Sequence, residues 1–232
     1  MKSLLHKIRN RIFAGIARQS DIDRLYNQVF GLQQIQNAMT GGPILRPMRG
    51  WAMSPDAMAW ILTDLYERES PNIIEFGSGQ STVIFASLIK NKGSGHLISV
   101  EHDHTYAMTI HRQLVSCGLD DVVEFKILEL EESRPSPGMP ICHSYIVDRL
   151  PDITVDVALI DGPPTNHGLM TRYIPLEWAL KHLATGGSVY LDDSDRQAEQ
   201  KVLVQLQASN PHITIRHLPS EKGLCLIKRN LE

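Results

Sequence analysis

The sequence predicts an α/β fold: a three-layer sandwich around a mostly parallel seven-stranded sheet that ends in an antiparallel hairpin, preceded by an N-terminal helical arm. Three observations carry this. From Asn72 onward, short apolar runs alternate with helical segments, the order expected of parallel strands joined by crossover helices. The last two runs, Ile213 to Leu218 and Leu224 to Lys228, are separated only by Pro219 to Gly223, too little chain for a crossover helix, so they should pair as a hairpin. At 232 residues with 42% hydrophobic content, the chain has length and apolar surface for one large domain.

The arm comes first. Residues 1–20 hold Lys2, Lys7, Arg9, Arg11 and Arg18 and no acid, a local +5 in a chain whose formal charge is -3. Leu4, Ile8, Ile12 and Ile16 recur every fourth residue beside Leu5 and Phe13, which predicts a helix with one apolar stripe and a basic flank. Two occupants suit that stripe: the domain itself or a second subunit in a homodimer, or a membrane surface touched peripherally. No uncharged run has the length of a membrane span, and charges interrupt any signal-peptide core. Ile22, Leu25, Val29 and Leu32 predict a second short helix before the break at Gly41-Gly42-Pro43. Residues 1–50 are therefore read as an appendage and 51–232 as the domain.

The domain opens on Ser54-Pro55, an N-cap followed by proline at the first helical position, with Met58, Ile61, Leu62 and Leu65 forming an apolar helical face. Strands follow at Ile73 to Phe76, Leu97 to Val100, Val122 to Ile127, Val155 to Ile160 and Ser188 to Leu191. Helices are expected around Val83 to Ile89, Met108 to Leu114, Tyr173 to Leu183 and Gln197 to Leu206.

Charge and cysteines narrow the function classes. A formal charge of -3 lacks the basic excess of a protein that grips a nucleic-acid backbone, and a small-molecule or glycan substrate fits better. Cys117, Cys142 and Cys225 lie far apart without a CxxC pair, which argues against a zinc knuckle or disulfide framework and for a reducing, cytoplasmic setting.

In Ile73-Ile74-Glu75-Phe76-Gly77-Ser78-Gly79-Gln80-Ser81-Thr82, a buried strand runs into a glycine turn and then a helix. Glycines let backbone approach a ligand closely, and a helix N-terminus offers N–H groups to a negative group. A GxG turn alone also suits a purely structural role. Two further residues favour a ligand. Glu75 ends the strand, where a buried carboxylate needs a cation or a donor, and Glu101 ends the next strand, where an acid can meet ribose hydroxyls.

On these residues the sequence resembles the class I S-adenosylmethionine-dependent methyltransferase superfamily, over roughly Trp51 to the C-terminus. The resemblance implies a Rossmann-like fold and S-adenosyl-L-methionine as cofactor. The turn Glu75-Phe76-Gly77-Ser78-Gly79, continued by Gln80, Ser81 and Thr82, would wrap its amino-acid part, and Glu101 would hold its ribose. His102 and His104 follow Glu101 and either touch adenine or lie on the surface; Trp51 either closes over the cofactor or packs beneath the first helix of the domain. The run Glu-Phe-Gly-Ser-Gly-Gln-Ser-Thr is similar to bacterial small-molecule and glycan-pathway methyltransferases, whereas Asp161 and Asp192-Asp193 resemble the catechol O-methyltransferase group.

Those acids end two further strands, Leu159-Ile160-Asp161 and Tyr190-Leu191-Asp192-Asp193, at the sheet edge where open α/β folds bind ligands. Asp161, Asp192 and Asp193 are expected to line the acceptor pocket, and Asp161 to border the cofactor as well. They either hold Mg2+, which prefers oxygen ligands, or cap helices and contact substrate. The catechol group usually has asparagine where this chain has Asp193, and Gly162-Pro163-Pro164 is an insertion relative to it. His167, in the loop Thr165-Asn166-His167-Gly168, is the second base beside Asp161 for taking a proton from an acceptor hydroxyl.

O-methylation of a small molecule or sugar hydroxyl is thus the expected reaction. Two rival readings suit the same residues. A nicotinamide-dependent oxidoreductase would use the same turn, although Thr82 stands where its fingerprint has a third glycine or alanine and Glu75 precedes the turn. A non-catalytic cofactor-binding subunit docked through the basic arm is the other. The segment Glu129 to Arg149, rich in proline and polar residues, is expected to form part of the acceptor site.

Overall fold

The computed structural model describes residues 2–39, 45–48, 50–136 and 138–230, without the side chains of residues 2–19. Helix α1 runs without interruption from Lys2 to Ala38, so the two predicted helices are one. A backbone free of proline and with only the glycines Gly15 and Gly31 gives no stop signal between them. The stripe and basic flank of residues 4–18, and the break at 41–43, lie outside the described side chains and residues. Along its C-terminal half, α1 leaves Ile22, Leu25, Tyr26, Val29 and Leu32 exposed and buries Ile35 and Ala38.

Helix α2 (Pro55–Tyr66) starts where the Ser-Pro pair predicts. Ser54 has the extended backbone of an N-cap, but its hydroxyl makes no capping bond, and its carbonyl takes the first helical bond from the Met58 N–H at 3.0 Å. Then come β1 (Asn72–Phe76), α3 (Gln80–Lys92), β2 (His96–Glu101), α4 (His104–Ser116) and β3 (Val123–Ile127). A short antiparallel pair, β4 (Leu130–Ser133) with β5 (Cys142–Tyr145), lies inside the segment read only as polar and proline-rich. The remainder is β6 (Val155–Ile160), α5 (Tyr173–Lys181), β7 (Leu183–Asp192), α6 (Gln197–Ser209) and the hairpin β8 (Ile213–Leu218) and β9 (Leu224–Arg229).

The main sheet has seven strands in the order β3-β2-β1-β6-β7-β9-β8. All pairings are parallel except β7 with β9 and β9 with β8, as the short Pro219 to Gly223 connection requires. Strict alternation sorts its side chains into two layers. Ile74, Phe76, Ile98, Val100, Ile160 and Leu191 pack with α5, α6 and the β4–β5 pair. Ile73, Leu97, Val157, Leu159 and Tyr190 pack with α2, α3 and the end of α1. Full burial of each such side chain contributes about 1.5–3 kcal/mol, so both faces of the sheet are anchored. Strand order reverses between β1 and β6, and the crevice at their carboxyl ends is where such folds bind ligands.

Candidate active site

The turn after β1 is built by close approach. Gly77 has φ +100°, and a Cβ there would lie 3.0 Å from the Gly162 nitrogen, so the residue after β1 and the residues after β6 can meet only because neither 77 nor 162 has a side chain. The Gly77 N–H donates to Val100 O (2.8 Å) and the Asp161 N–H to Phe76 O (2.9 Å), tying three strand ends together.

Glu75 organises this turn from below. It is fully buried and accepts hydrogen bonds from Ser81 Oγ (2.7 Å), Ser99 Oγ (2.7 Å) and Thr82 Oγ1. Thr82 Oγ1 in turn accepts the Gly79 N–H at 2.9 Å, and Ser78 Oγ lies 2.8 Å from Ser99 Oγ. Burial pushes the Glu75 carboxyl up to about 7, against the three hydroxyls that hold it down. Glu75 and Thr82, both expected at the cofactor, therefore shape the loop from beneath and do not line the cavity above it.

That cavity, about 470 Å³, opens above Gly77–Ser81. Its walls include Trp51, Ala52 and Met53, the β2 end at Glu101, His102 and Asp103, and Asp161, Asn166 and His167 after β6. A larger groove of about 870 Å³ lies between Lys181, Gly187 and Arg229, at the opposite end of β7 from Asp192, and holds none of the expected site residues.

Glu101 sits almost wholly buried at the tip of β2. Its Oε1 accepts the N–H groups of His102 (2.7 Å) and Asp103 (2.9 Å), and its Oε2 accepts that of Ser78 (3.0 Å). These bonds lock the side chain and leave an acceptor site on Oε2 for a ligand hydroxyl. His102 Nδ1 lies 2.8 Å from Glu101 Oε1, and that carboxylate raises the imidazole's pKa. The His102 ring meets His167 edge-on at 5.6 Å. Partial burial and the neighbouring His102 lower the pKa of His167, which keeps it neutral and able to accept a proton near pH 7.

Asp161 lines the cavity, but burial and the adjacent Asp192 push its carboxyl well above the usual range, with Arg172 opposing. A carboxyl that keeps its proton is a poor base. Asp192 and Asp193, expected on the acceptor wall, are instead buried behind Asp161 and absent from the lining. All three acids do converge, with ligand oxygens within 4.8 Å of one another. Basic side chains already face them: Arg172 Nη2 stands 3.2 Å from Asp193 Oδ2 and 3.5 Å from Asp161 Oδ1, Arg196 Nη1 2.9 Å from Asp193 Oδ2, and Lys222 Nζ 3.4 Å from Asp192 and 3.3 Å from Asp193. This donor set does not fit a divalent ion as it stands, because two guanidinium groups and an ammonium already bring the positive charge an ion would supply.

Several site residues escaped the sequence reading. Tyr106 follows its N-cap Asp103 by three residues, and its side chain lines the cavity. Tyr145 ends β5, is buried, and its hydroxyl has no hydrogen-bond partner among the described residues although it borders the cavity. An unpartnered buried hydroxyl costs about 1–3 kcal/mol unless a ligand or water meets it. Arg172 and Lys222, which neutralise the acids, carried no local motif. Length was the remaining signal for Tyr145, since the 129–149 segment is too long for a plain connection.

A family model described as a methyltransferase domain matches residues 74–194. The chain belongs to that family, and with it to the class I S-adenosylmethionine-dependent methyltransferases. Solved structures agree in fold. The S-adenosylhomocysteine-bound methyltransferase PaMTH1 of Podospora anserina superposes with a TM-score of 0.63 at 14% identity, over 92% of this chain and 96% of that one. A Bacillus cereus O-methyltransferase in complex with S-adenosylhomocysteine gives 0.52 at 14%, over 88% and 91%. A precorrin-6Y C5,15-methyltransferase of Geobacter metallireducens gives 0.55 at 13%, over 82% and 96%. No curated protein sequence is significantly similar to this methyltransferase. Among the described residues, none of its helices is long and apolar enough to cross a membrane.

Proposed function

We propose that this methyltransferase moves the methyl group of S-adenosylmethionine to a hydroxyl of a small molecule or sugar, with His167 taking the hydroxyl proton. The observation that carries the reading is the cavity at the β1/β6 reversal, which brings the glycine turn, Glu101 and His167 to one lining. Its volume of about 470 Å³ falls within the range of small-molecule sites.

When bound, S-adenosylmethionine supplies an electrophilic methyl carbon that is displaced in line. The residues of the chain do the rest. The N–H groups of Gly77, Ser78 and Gly79 are held by Val100, Glu101 and Thr82, so it is the first turn of α3, at Gln80 and Ser81, that offers N–H groups to a carboxylate, while Glu101 Oε2 offers an acceptor to ribose hydroxyls. His167 is the better base of the two expected, because its lowered pKa favours the neutral, proton-accepting imidazole while burial and Asp192 shift Asp161 toward its protonated form. Asp161 then serves as a donor or wall of the acceptor side. The hydroxyl class is favoured because a proton must leave an oxygen acceptor, and His167 stands at the cavity to receive it.

Calorimetry with S-adenosylhomocysteine tests the cofactor half. Binding in the micromolar range is expected, and Glu101→Ala should weaken it by about 1–3 kcal/mol, the cost of removing a buried hydrogen-bond partner. NADH binding with no response to the sulfur nucleoside would overturn the reading. Equal affinity in the Glu101→Ala chain would remove Glu101 from the site.

A further inference from the structure

Where the catechol group would place a divalent ion, this chain has an internal counter-ion system. We infer that the Lys222 ammonium occupies the cation seat between Asp192 and Asp193, so that the acid cluster takes up no divalent ion and methyl transfer here needs none. Among the described residues, four acids meet in this region, Asp161, Asp192, Asp193 and Glu199, and three of them are essentially inaccessible to solvent. Three cations face them. Arg172, itself buried, reaches Asp161, Asp193 and Glu199; Arg196 reaches Asp193; Lys222 reaches Asp192 and Asp193. Asp192, Asp193 and Glu199 are matched in number by the three cations, and Asp161, whose carboxyl favours its proton, adds no charge to set against a divalent ion, which would leave two positive charges in a region that cannot solvate them.

The departure at position 193 has its cause in the same contacts. Asp193 Oδ2 receives Arg172 and Arg196 while Oδ1 faces Lys222, three positive partners that a neutral asparagine could not balance. The backbone of Asp193 is held at φ +57°, a left-handed conformation that aspartate tolerates better than most residues, and this turns the side chain toward those partners. Asp192 supports the same conclusion. Neither of its buried oxygens accepts a hydrogen bond among the described residues, so Lys222, at 3.4 Å, is the positive group that answers its charge from the hairpin side.

Lys222 has a third contact that links the seat to the catalytic cavity. Its Nζ donates to the carbonyl of Ala52 at 3.0 Å, and Ala52 lines the cavity between Trp51 and Met53. A lysine in the β8–β9 turn thus fastens the cavity wall to the acid cluster, acting as a positioning residue for the site.

The test uses Mn2+ alone, titrated into the intact chain while electron paramagnetic resonance reads the free hydrated ion. The unmodified protein is expected to bind none at millimolar concentrations. Lys222→Met should gain one bound ion per chain, lost again in Lys222→Met/Asp192→Asn, while Lys222→Arg should keep the seat closed. One Mn2+ bound by the unmodified chain and abolished by Asp192→Asn would overturn the proposal. So would a Lys222→Met chain with unchanged circular dichroism that still binds none. If Lys222→Met does not fold, the unmodified chain and Lys222→Arg decide the matter. None of these measurements needs a methyl donor or acceptor, so the proposal stands or falls apart from the cofactor reading.

Discussion

A buried carboxyl can be read from sequence, but its partners cannot. Glu75 at the end of an apolar strand announces a need for donors, and the structure answers with three hydroxyls, two of them from the run Ser81-Thr82 just downstream and one from Ser99 on the next strand. The consequence for stability has a definite sign. Unfolded, the carboxyl loses its proton near its ordinary value of 4.5; folded, it keeps it up to about 7. The stability this group adds is therefore complete below about pH 4.5 and is lost as the pH climbs through 7. Glu75→Gln never ionises and should lack the slope. Thermal melts of both chains should show the balance moving toward the Glu75→Gln chain by on the order of 3 kcal/mol across that window, then levelling off. Parallel pH courses would show that Glu75 titrates alike in the folded and unfolded states.

At the scale of elements, hydrophobic periodicity located every strand and helix of the main sheet, because each has to bury one face in a shared core. The limits were set by what periodicity does not record. The strands β4 and β5 are short and set among Pro135, Pro137 and Pro140, so neither alternation nor length marked them, and Tyr145 went unseen with them. The join between the two halves of α1 was misread because a gap in the apolar pattern is not a break in the backbone. Close packing of α1 on α2 likewise turns on a residue without a side chain. A Cβ at Gly31 would lie 2.2 Å from the Pro55 carbonyl oxygen, at the first turn of α2. Gly31→Val should therefore force the helices apart and expose Ile35 and Ala38, which are now buried. A loss of about 1–3 kcal/mol is expected in urea unfolding, the usual cost of overpacking. Unchanged stability would mean that α1 does not dock on α2 in solution.

For the whole molecule, the decisive property is where its core stops. The division at residue 50 follows the sequence pattern, yet Ile35, Ala38 and Met48 belong to the same buried cluster as Met58, Leu62 and Phe85. Asn91 Nδ2 on α3 also donates to the Ala38 carbonyl at 2.7 Å, fixing the end of α1 to the body. A helix of 37 residues is about 55 Å long, longer than the contact its last turns make, and among its described side chains Ile22, Leu25, Tyr26 and Val29 are exposed. The cooperative unit should then begin near Gly31. Removing residues 1–20 is expected to leave the melting temperature and S-adenosylhomocysteine affinity unchanged. Removing residues 1–50 takes Ile35 and Met48 out of the core, at about 1.5–3 kcal/mol each. For a chain of this size that lowers the melting temperature by on the order of 10 °C. Equal melting temperatures for the two truncated chains would place the whole of residues 1–50 outside the folded unit, while a large loss on removing only residues 1–20 would give that segment a packing partner of its own.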